Sequence, residues 1–335
     1  MEISVVVAVK NEARYIKKCI EALLQQDYPK DLYEIIVADG MSSDGTWNIL
    51  QELKKLNPTL KIYQNPKGNA AAGRNIGIRN SQGAYIAFID SDAIAEKNWL
   101  KSIKKVFSRT DAIGVGGPDA LPPDSIPKSK AIGTIMSSPL ASGGGFNPSV
   151  QHIMSSSEDY VEHIPTCNLC VKKEIFENIG YFDEAFVKGQ DLEFNTRLIM
   201  AGYKLFHSPK IKVFHYRKMH IHSFSRQIFK WAKAKAAIIK KHGLQNPAYL
   251  LPLFGLIGLL TLFVIALVSD LLVLFSLLLF FGSLTYIFVV LFESSRLAIK
   301  KKNLVLFFYG LLLFPIVHFS YTFGIIYGFV RKKIW

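Results

Sequence analysis

Up to about residue 243, apolar and polar positions alternate in short blocks. Residues 3–9 form an apolar, β-branched run that predicts a buried strand. Asn11 and Glu12 open a helix with Ile16, Ile20, Leu23 and Leu24 at helical spacing, ended by Tyr28 and Pro29. A strand over 33–38 follows, then a helix to about residue 55 with Ser43 or Asp44 as its cap. Next come a short strand over 60–63 and a glycine- and alanine-rich helix over 68–80. Residues 84–89 are apolar and aromatic and stop abruptly at Asp90-Ser91-Asp92. Beyond them the pattern predicts helices over 99–107, 128–138, 172–179 and 190–200, and strands over 112–116, 164–171, 204–206 and 210–214. Strand and helix alternate, which predicts an α/β fold on a largely parallel, doubly wound sheet. The stretch 117–157 differs, with several prolines, many serines and the run Gly143, Gly144, Gly145. It reads either as a mobile loop near an acceptor or as a surface insertion.

The pattern then changes. Over 223–241, Phe224, Ile228, Trp231 and Ile238 fall roughly on one helical face, with Arg226, Lys230, Lys233, Lys240 and Lys241 between them. Such a helix suits the membrane interface, and an ordinary core-facing helix is the alternative. Three nearly uncharged blocks follow at 250–268, 271–292 and 304–330, each long enough to span a bilayer. A re-entrant third block, containing Pro315 and His318, would keep all the flanking basic clusters on one side. The organisation expected is a catalytic domain over 1–221, an amphipathic interface helix over 222–247 and a transmembrane domain over 248–335. Met1 leads straight into a strand, so no signal peptide is expected.

Composition narrows this picture. The 335 residues are 50% hydrophobic and carry a formal net charge of +14. Nucleic-acid binding is one reading of such charge. Its placement argues against that reading, because the basic residues crowd the flanks of the apolar blocks, as cytoplasmic, lipid-facing charge does. A multi-pass membrane protein with a cytoplasmic catalytic domain is therefore expected. Of the three cysteines, Cys167 and Cys170 form a Cys-x-x-Cys with no second pair to complete a zinc site. In a strand-like context they read as small apolar filler.

Asp90 and Asp92 carry the chemistry. Two carboxylates where a buried strand emerges repel each other and call for a cation or hydrogen-bond donors. The carboxyl edge of an α/β sheet is also where ligands bind. A divalent metal shared with substrate phosphates fits, and a plain strand end followed by an acidic helix cap is the alternative.

Five motifs in order resemble the family 2 glycosyltransferases of the GT-A fold. They are Val5-Val-Val-Ala-Val-Lys-Asn-Glu12, Val37-Ala-Asp-Gly-Met-Ser-Ser-Asp-Gly-Thr46, Gly73-Arg-Asn-Ile-Gly77, Asp90-Ser-Asp92 and Gly189-Gln-Asp-Leu-Glu-Phe-Asn-Thr-Arg197. A sixth, Gln227-Ile-Phe-Lys-Trp231, is similar to the family's Gln-x-x-Arg-Trp, with lysine for arginine. The resemblance implies a GT-A (Rossmann-like) catalytic domain and inverting sugar transfer from a nucleotide diphosphate sugar, with a UDP-sugar favoured. Ala8, Glu12, Asp39, Arg74 and Asp90 would line the nucleotide pocket. Asp92, and by analogy with some relatives His215, would bind Mg2+ or Mn2+. Asp191 would be the catalytic base, although it could equally cap the helix it begins. Arg226 or Lys230 would meet the departing diphosphate, and Gln227 and Trp231 would lie near the acceptor. This chain departs from the pattern at Ala38, where the family often has a first aspartate, and at Gln190, where glutamate is usual. With a membrane part beside it, the acceptor implied is a membrane lipid or lipid-linked sugar. Polyprenyl-phosphate sugar synthesis, processive polysaccharide synthesis and a non-catalytic scaffold are the other readings.

Overall fold

A computed structural model describes residues 1–122, 127–142, 157–216, 221–269 and 271–331. Gly143, Gly144, Gly145, Arg217 and Asp270 lie outside them. The chain forms two compact units, Met1–Ser125 with Pro148–Arg217 and Ile126–Asn147 with Lys218–Ile334.

The first unit contains strands β1 (Ile3–Val9), β2 (Tyr33–Asp39), β3 (Leu60–Gln64), β4 (Tyr85–Asp90), β5 (Ala93–Ala95), β6 (Gly114–Gly116), β7 (Asp119–Ala120), β8 (Asp159–Val161), β9 (Asn168–Lys172), β10 (Leu205–His207) and β11 (Val213–His215). An eight-stranded sheet runs in the order β3-β2-β1-β4-β9-β6-β10-β8, and β5-β11-β7 form a second, small sheet. Strands β1 and β2 are β-branched and apolar because helices cover both faces of the sheet. Those helices are α1 (Ile16–Leu24), α2 (Thr46–Leu56), α3 (Ala70–Arg79) and α4 (Trp99–Phe107).

The largely parallel sheet predicted by strand–helix alternation holds for six of the eight strands, with β9 and β8 running against the rest. Strands β3, β2, β1 and β4 are parallel, but β9 runs antiparallel to both β4 and β6. The reason is connectivity. The right-handed rule governs a strand returned by a crossover to a parallel neighbour. Strand β9 is instead reached through the long stretch after β7, which can deliver it in either direction. The first helix also starts later than its pattern suggested, at Ile16. Asn11 has a φ of 54°, and Asn11 and Glu12 form the turn before the helix.

Helix α3 seats itself on β1 through two glycines. A Cβ at Gly73 would lie 3.0 Å from Ala8 Cβ, and one at Gly77 would lie 2.3 Å from Val6 Cγ1. Without side chains there, the helix axis closes onto the strand and delivers Arg74 to the sheet edge. Asn69 caps the helix by accepting from the Ala72 N–H at 2.8 Å. Two further helices, α7 (Ile175–Ile179) and α8 (Gln190–Met200), cover the same face as α3, with Phe176 and Phe182 packed on Phe88 and Phe194 packed on both.

The second unit is helical, with α5 (Pro127–Met136), α6 (Pro139–Ser142), α9 (Ile221–His242), α10 (Leu251–Val268), α11 (Leu272–Lys300) and α12 (Val305–Val330). Its core gathers Ile132 and Ile135 from α5, Phe224 and Ile228 from α9, Val290 and Leu297 from α11, and Leu313, Phe314 and Val317 from α12. The apolar face of α9, expected to lie in the membrane interface, is thus covered by protein. Its contact with α12 is backbone-close, since a Cβ at Gly324 would meet Phe229 O at 2.5 Å and one at Gly328 would meet Ala236 Cβ at 2.6 Å. Small residues at this spacing let two helices approach. Trp231 faces outward at 39% exposure. The third apolar block forms one continuous helix through Pro315.

Helices α11 and α12 are long and apolar enough to cross a membrane, while α10 is shorter, at 18 residues. Only 11% of the most apolar window of α11 is buried, so it is not the packed core helix of a soluble domain.

Candidate active site

The candidate site lies at the carboxyl edge of the parallel strands. Register sets its spacing: Val9 pairs with Asp39 on β2, and Ala8 pairs with Asp90 on β4. The two aspartates therefore emerge on either side of β1, with partly exposed Ala8 between them. Asp39 is buried, and its carboxylate accepts from the Ser42 hydroxyl at 2.5 Å and the Ser42 N–H at 3.0 Å. Further bonds tie the loop after β2 to the loop after β1. Ser42 accepts from the Asn11 N–H, Asn11 accepts from the Ser43 N–H, and Asp44 accepts from the Ala13 N–H. The Glu12 N–H donates to the Thr46 hydroxyl at 2.9 Å, holding Glu12 at the same rim.

Arg74 is 5% exposed, and its Nη2 donates to Asp90 Oδ1 at 2.9 Å. Its Nη1 is buried with no hydrogen-bond partner among the described residues. A buried guanidinium N–H left open costs free energy unless something docks against it.

The strand-end pair continues into a second cluster. Strand β11 pairs antiparallel with β5, setting His215 opposite Ala93 and beside Asp92. His215 Nε2 lies 3.1 Å from Asp92 Oδ1, and its Nδ1 is 3.7 Å from Asp119 Oδ2. The thiol of Cys167 donates to the same Asp119 oxygen at 3.5 Å. Asn168, fully buried, braces this corner by accepting from Trp99 Nε1 and donating to the Pro118 and Ile211 carbonyls. Burial works against a charged His215, but Asp119 and Asp92 outweigh it and hold its pKa well above the usual value. Burial, reinforced by Asp119, pushes the Cys167 thiol up to about 12.

Asp191 stands in the first turn of α8, after Gly189 at a φ of 75°. Its Oδ1 accepts from the Leu192 N–H at 2.9 Å, and the side chain is partly exposed. Two residues on, Glu193 is fully buried and paired with Arg197, whose Nη2 also donates to the Tyr181 carbonyl at 2.8 Å. This ion pair locks α8 against the chain entering it. That entering chain is pinned to α3, because Asn75 donates to the Phe182 carbonyl and to Glu184, and accepts from the Phe182 N–H. The helix bearing Asp191 and the helix bearing Arg74 are held by one short bridge.

Residues 85–327 match the family described as Glycosyl transferase family group 2, and residues 4–145 match Glycosyl transferase family 2. The chain belongs to glycosyltransferase family 2. It is 30% identical to the dolichyl N-acetyl-alpha-D-glucosaminyl phosphate 3-beta-D-2,3-diacetamido-2,3-dideoxy-beta-D-glucuronosyltransferase of Methanococcus voltae, over 98% of this chain and 97% of that protein. It is 31% identical to glycosyltransferase AglE of Haloferax volcanii, over 61% of this chain and 63% of that one. Its fold is similar to that of the mannosyltransferase PcManGT of Pyrobaculum calidifontis, solved with GDP-Man and Mn2+, at a TM-score of 0.62 and 16% identity over 99% of this chain and 88% of that one. The first unit is a GT-A domain, and the protein is a glycosyltransferase.

In this glycosyltransferase the structure gathers Ala8, Glu12, Asp39, Arg74, Asp90, Asp92 and His215 at one sheet edge. Arg226, Gln227, Lys230 and Trp231 are exposed on α9, while Phe224 and Ile228 are buried. Sequence reasoning missed Asp119, and it read Cys167 as filler without the Asp119 carboxylate that the buried thiol faces. Nothing around Asp119 marked it, because its place depends on β7 pairing with β11. Cys167 sits one residue before a strand, where a small apolar role is the ordinary expectation.

Proposed function

We propose that this enzyme transfers a sugar, with inversion, from a nucleotide diphosphate sugar to a lipid-linked acceptor at the cytoplasmic face of a membrane. The observation that carries the reading is the open Nη1 of buried Arg74, beside Asp90, at the edge where Asp39 and Asp92 also emerge. Asp39 would accept from the base, with uracil favoured, and its Ser42 bonds hold the carboxylate in place. Arg74 would donate to the nucleotide, and Glu12 and Ala8 would shape the rim.

The donor set fits a divalent cation. Asp92 and Asp90 supply carboxylate oxygens, and His215 supplies an imidazole whose Nε2 lies 3.1 Å from Asp92 and whose Nδ1 faces Asp119 at 3.7 Å. Mg2+ or Mn2+ held by Asp92 and His215 would supply charge neutralisation for the departing diphosphate. Asp191 takes the proton from the acceptor hydroxyl as that oxygen bonds to the anomeric carbon. In the same displacement the bond from that carbon to the diphosphate oxygen breaks, and one displacement inverts the centre. Lys230 or Arg226, exposed on α9, would offset the diphosphate charge, and Trp231 offers a flat face to an acceptor sugar. Gln227 is exposed on the same helix and would bond the acceptor.

Two findings support a lipid-linked acceptor. Helices α11 and α12 can cross a membrane, and the Methanococcus voltae relative is named for a dolichyl phosphate-linked N-acetylglucosamine acceptor. The test is a screen of nucleotide sugars for metal-dependent release of the nucleoside diphosphate, followed by a screen of polyprenyl-linked acceptors. Transfer to a polyprenyl-linked sugar is expected. Transfer to bare polyprenyl phosphate would replace this reading by polyprenyl-phosphate sugar synthesis. Calorimetry of UDP with Mn2+ checks the metal separately: Asp92→Ala should abolish metal-dependent binding, and unchanged affinity would refute the assignment.

A further inference from the structure

The corner behind Asp92 holds one group, the buried Cys167, that sugar transfer as proposed above does not use. Asp90, Cys167 and His215 each offer one ligand atom, and the three atoms lie within 4.8 Å of one another. Two ligands of one tetrahedral zinc, with bonds of ~2.3 Å to sulfur and ~2.0 Å to nitrogen, stand ~3.5 Å apart. Side-chain rotation covers the remaining ångström or so. The sulfur is not packed as filler, since it faces the Asp119 carboxylate at 3.5 Å. Cys170 and Cys19 make the contrast. Cys170 sits in the apolar core, as does Cys19, whose thiol donates to the backbone carbonyl of Asp90 at 3.7 Å.

We propose that Cys167 is a ligand of the divalent ion, so that the site prefers a thiophilic ion such as Zn2+ or Cd2+ over Mg2+. This rests on the metal reading of Asp92 and His215 given above. On binding, a metal–sulfur bond forms, the S–H bond breaks, and the proton passes to solvent. No oxidant or reductant is involved. Asp119 loses its thiol partner and is left facing His215 Nδ1, which orients the imidazole as a metal ligand's outer carboxylate does. Carboxylates suit Mg2+ and Mn2+, whereas imidazole and above all thiolate suit Zn2+ and Cd2+, so a thiolate added to the Asp92 and His215 set raises the preference for a thiophilic ion.

The experiment uses the full chain, purified in detergent and loaded with Zn2+ alone. X-ray absorption at the zinc edge should show one sulfur at ~2.3 Å together with nitrogen and oxygen neighbours. Cys167→Ser should lose the sulfur shell and lower the ratio of Cd2+ to Mg2+ affinity at least about tenfold, while Cys170→Ser changes neither. A nitrogen- and oxygen-only shell in the unmutated protein overturns the proposal and leaves the Asp92 site standing. Failure to bind Zn2+, Cd2+ or Mg2+ at all overturns the metal reading itself. The absorption measurement needs no variant, so a misfolded Cys167→Ser would not shield the proposal.

Discussion

Gly77→Ala tests how the sheet edge is built. The added methyl would lie 2.3, 3.0 and 3.2 Å from Val6 Cγ1, Cγ2 and Cβ. Carbon atoms pack comfortably at ~3.5–4.0 Å, so α3 must lift from β1 by more than an ångström. Overpacking of that severity costs about 3 kcal/mol, and the better helix propensity of alanine returns about 1. The net expected loss is about 2 kcal/mol. Val6→Ala removes two buried methyls at ~0.8 kcal/mol each and leaves a cavity, for a loss of about 2 kcal/mol. If the two sites were independent, the double variant would lose about 4 kcal/mol. In the double variant the Cγ atoms that clash are gone, and only the Cβ contact at 3.2 Å remains. A loss of about 1 kcal/mol is expected, a coupling of about 3. Thermal unfolding of the detergent-solubilised chain, followed by tryptophan fluorescence, reads this as a drop of about 4–8 °C for Gly77→Ala and less than about 4 °C for the pair. The UDP affinity of Gly77→Ala should fall with it, because α3 carries Arg74. Additive losses, or a Gly77→Ala protein as stable as the wild type, would refute the close seating of α3 on β1.

Other outcomes follow from the same geometry. Arg74→Met leaves Asp90 without its cation at a partly exposed position, so a stability loss of about 1–2 kcal/mol and a fall of about tenfold in UDP affinity by calorimetry are expected. Glu158, paired with Arg109 and bonded by Ser208, is held down at about 2 from an ordinary 4.5. Its depressed pKa stabilises the fold above pH 4.5 and is lost as pH falls toward 2. Discounted for its exposure, about 1 kcal/mol of acid lability should vanish in Glu158→Gln, read by denaturant titration at pH 6 and pH 3. Gly324→Leu drives a side chain into the Phe229 carbonyl and Ala232, and should cost about 3 kcal/mol through loss of the α9–α12 contact, read as a lower melting temperature in detergent.

Much of this was readable before the fold was known, and for a physical reason. Strands β1, β2 and β4 are largely buried, mostly apolar runs, and the acidic residue ending each of the last two marks the carboxyl edge. Register then dictates that Asp39 and Asp90 flank Ala8. What could not be read was long-range pairing. The antiparallel course of β9 depends on the stretch before it, and the meeting of Asp92 with His215 depends on β5 finding β11 across 123 residues. Asp119 entered the corner by the same route. The amphipathic pattern of α9 was legible, but its partner was not. The same apolar stripe serves a lipid surface or a neighbouring helix, and Gly324 and Gly328 on α12 supply the helix.

The central claim is that Asp191 removes a proton from a lipid-linked hydroxyl acceptor. Asp191→Asn keeps the Oδ1 that accepts from the Leu192 N–H, so the first turn of α8, whose N-cap is Gly189, keeps that bond. Initial rates of transfer from a nucleotide sugar to a polyprenyl-linked sugar, at saturating donor and divalent cation, should fall about 10²–10⁴-fold, with donor affinity unchanged. Transfer by Asp191→Asn at near wild-type rate would contradict the account.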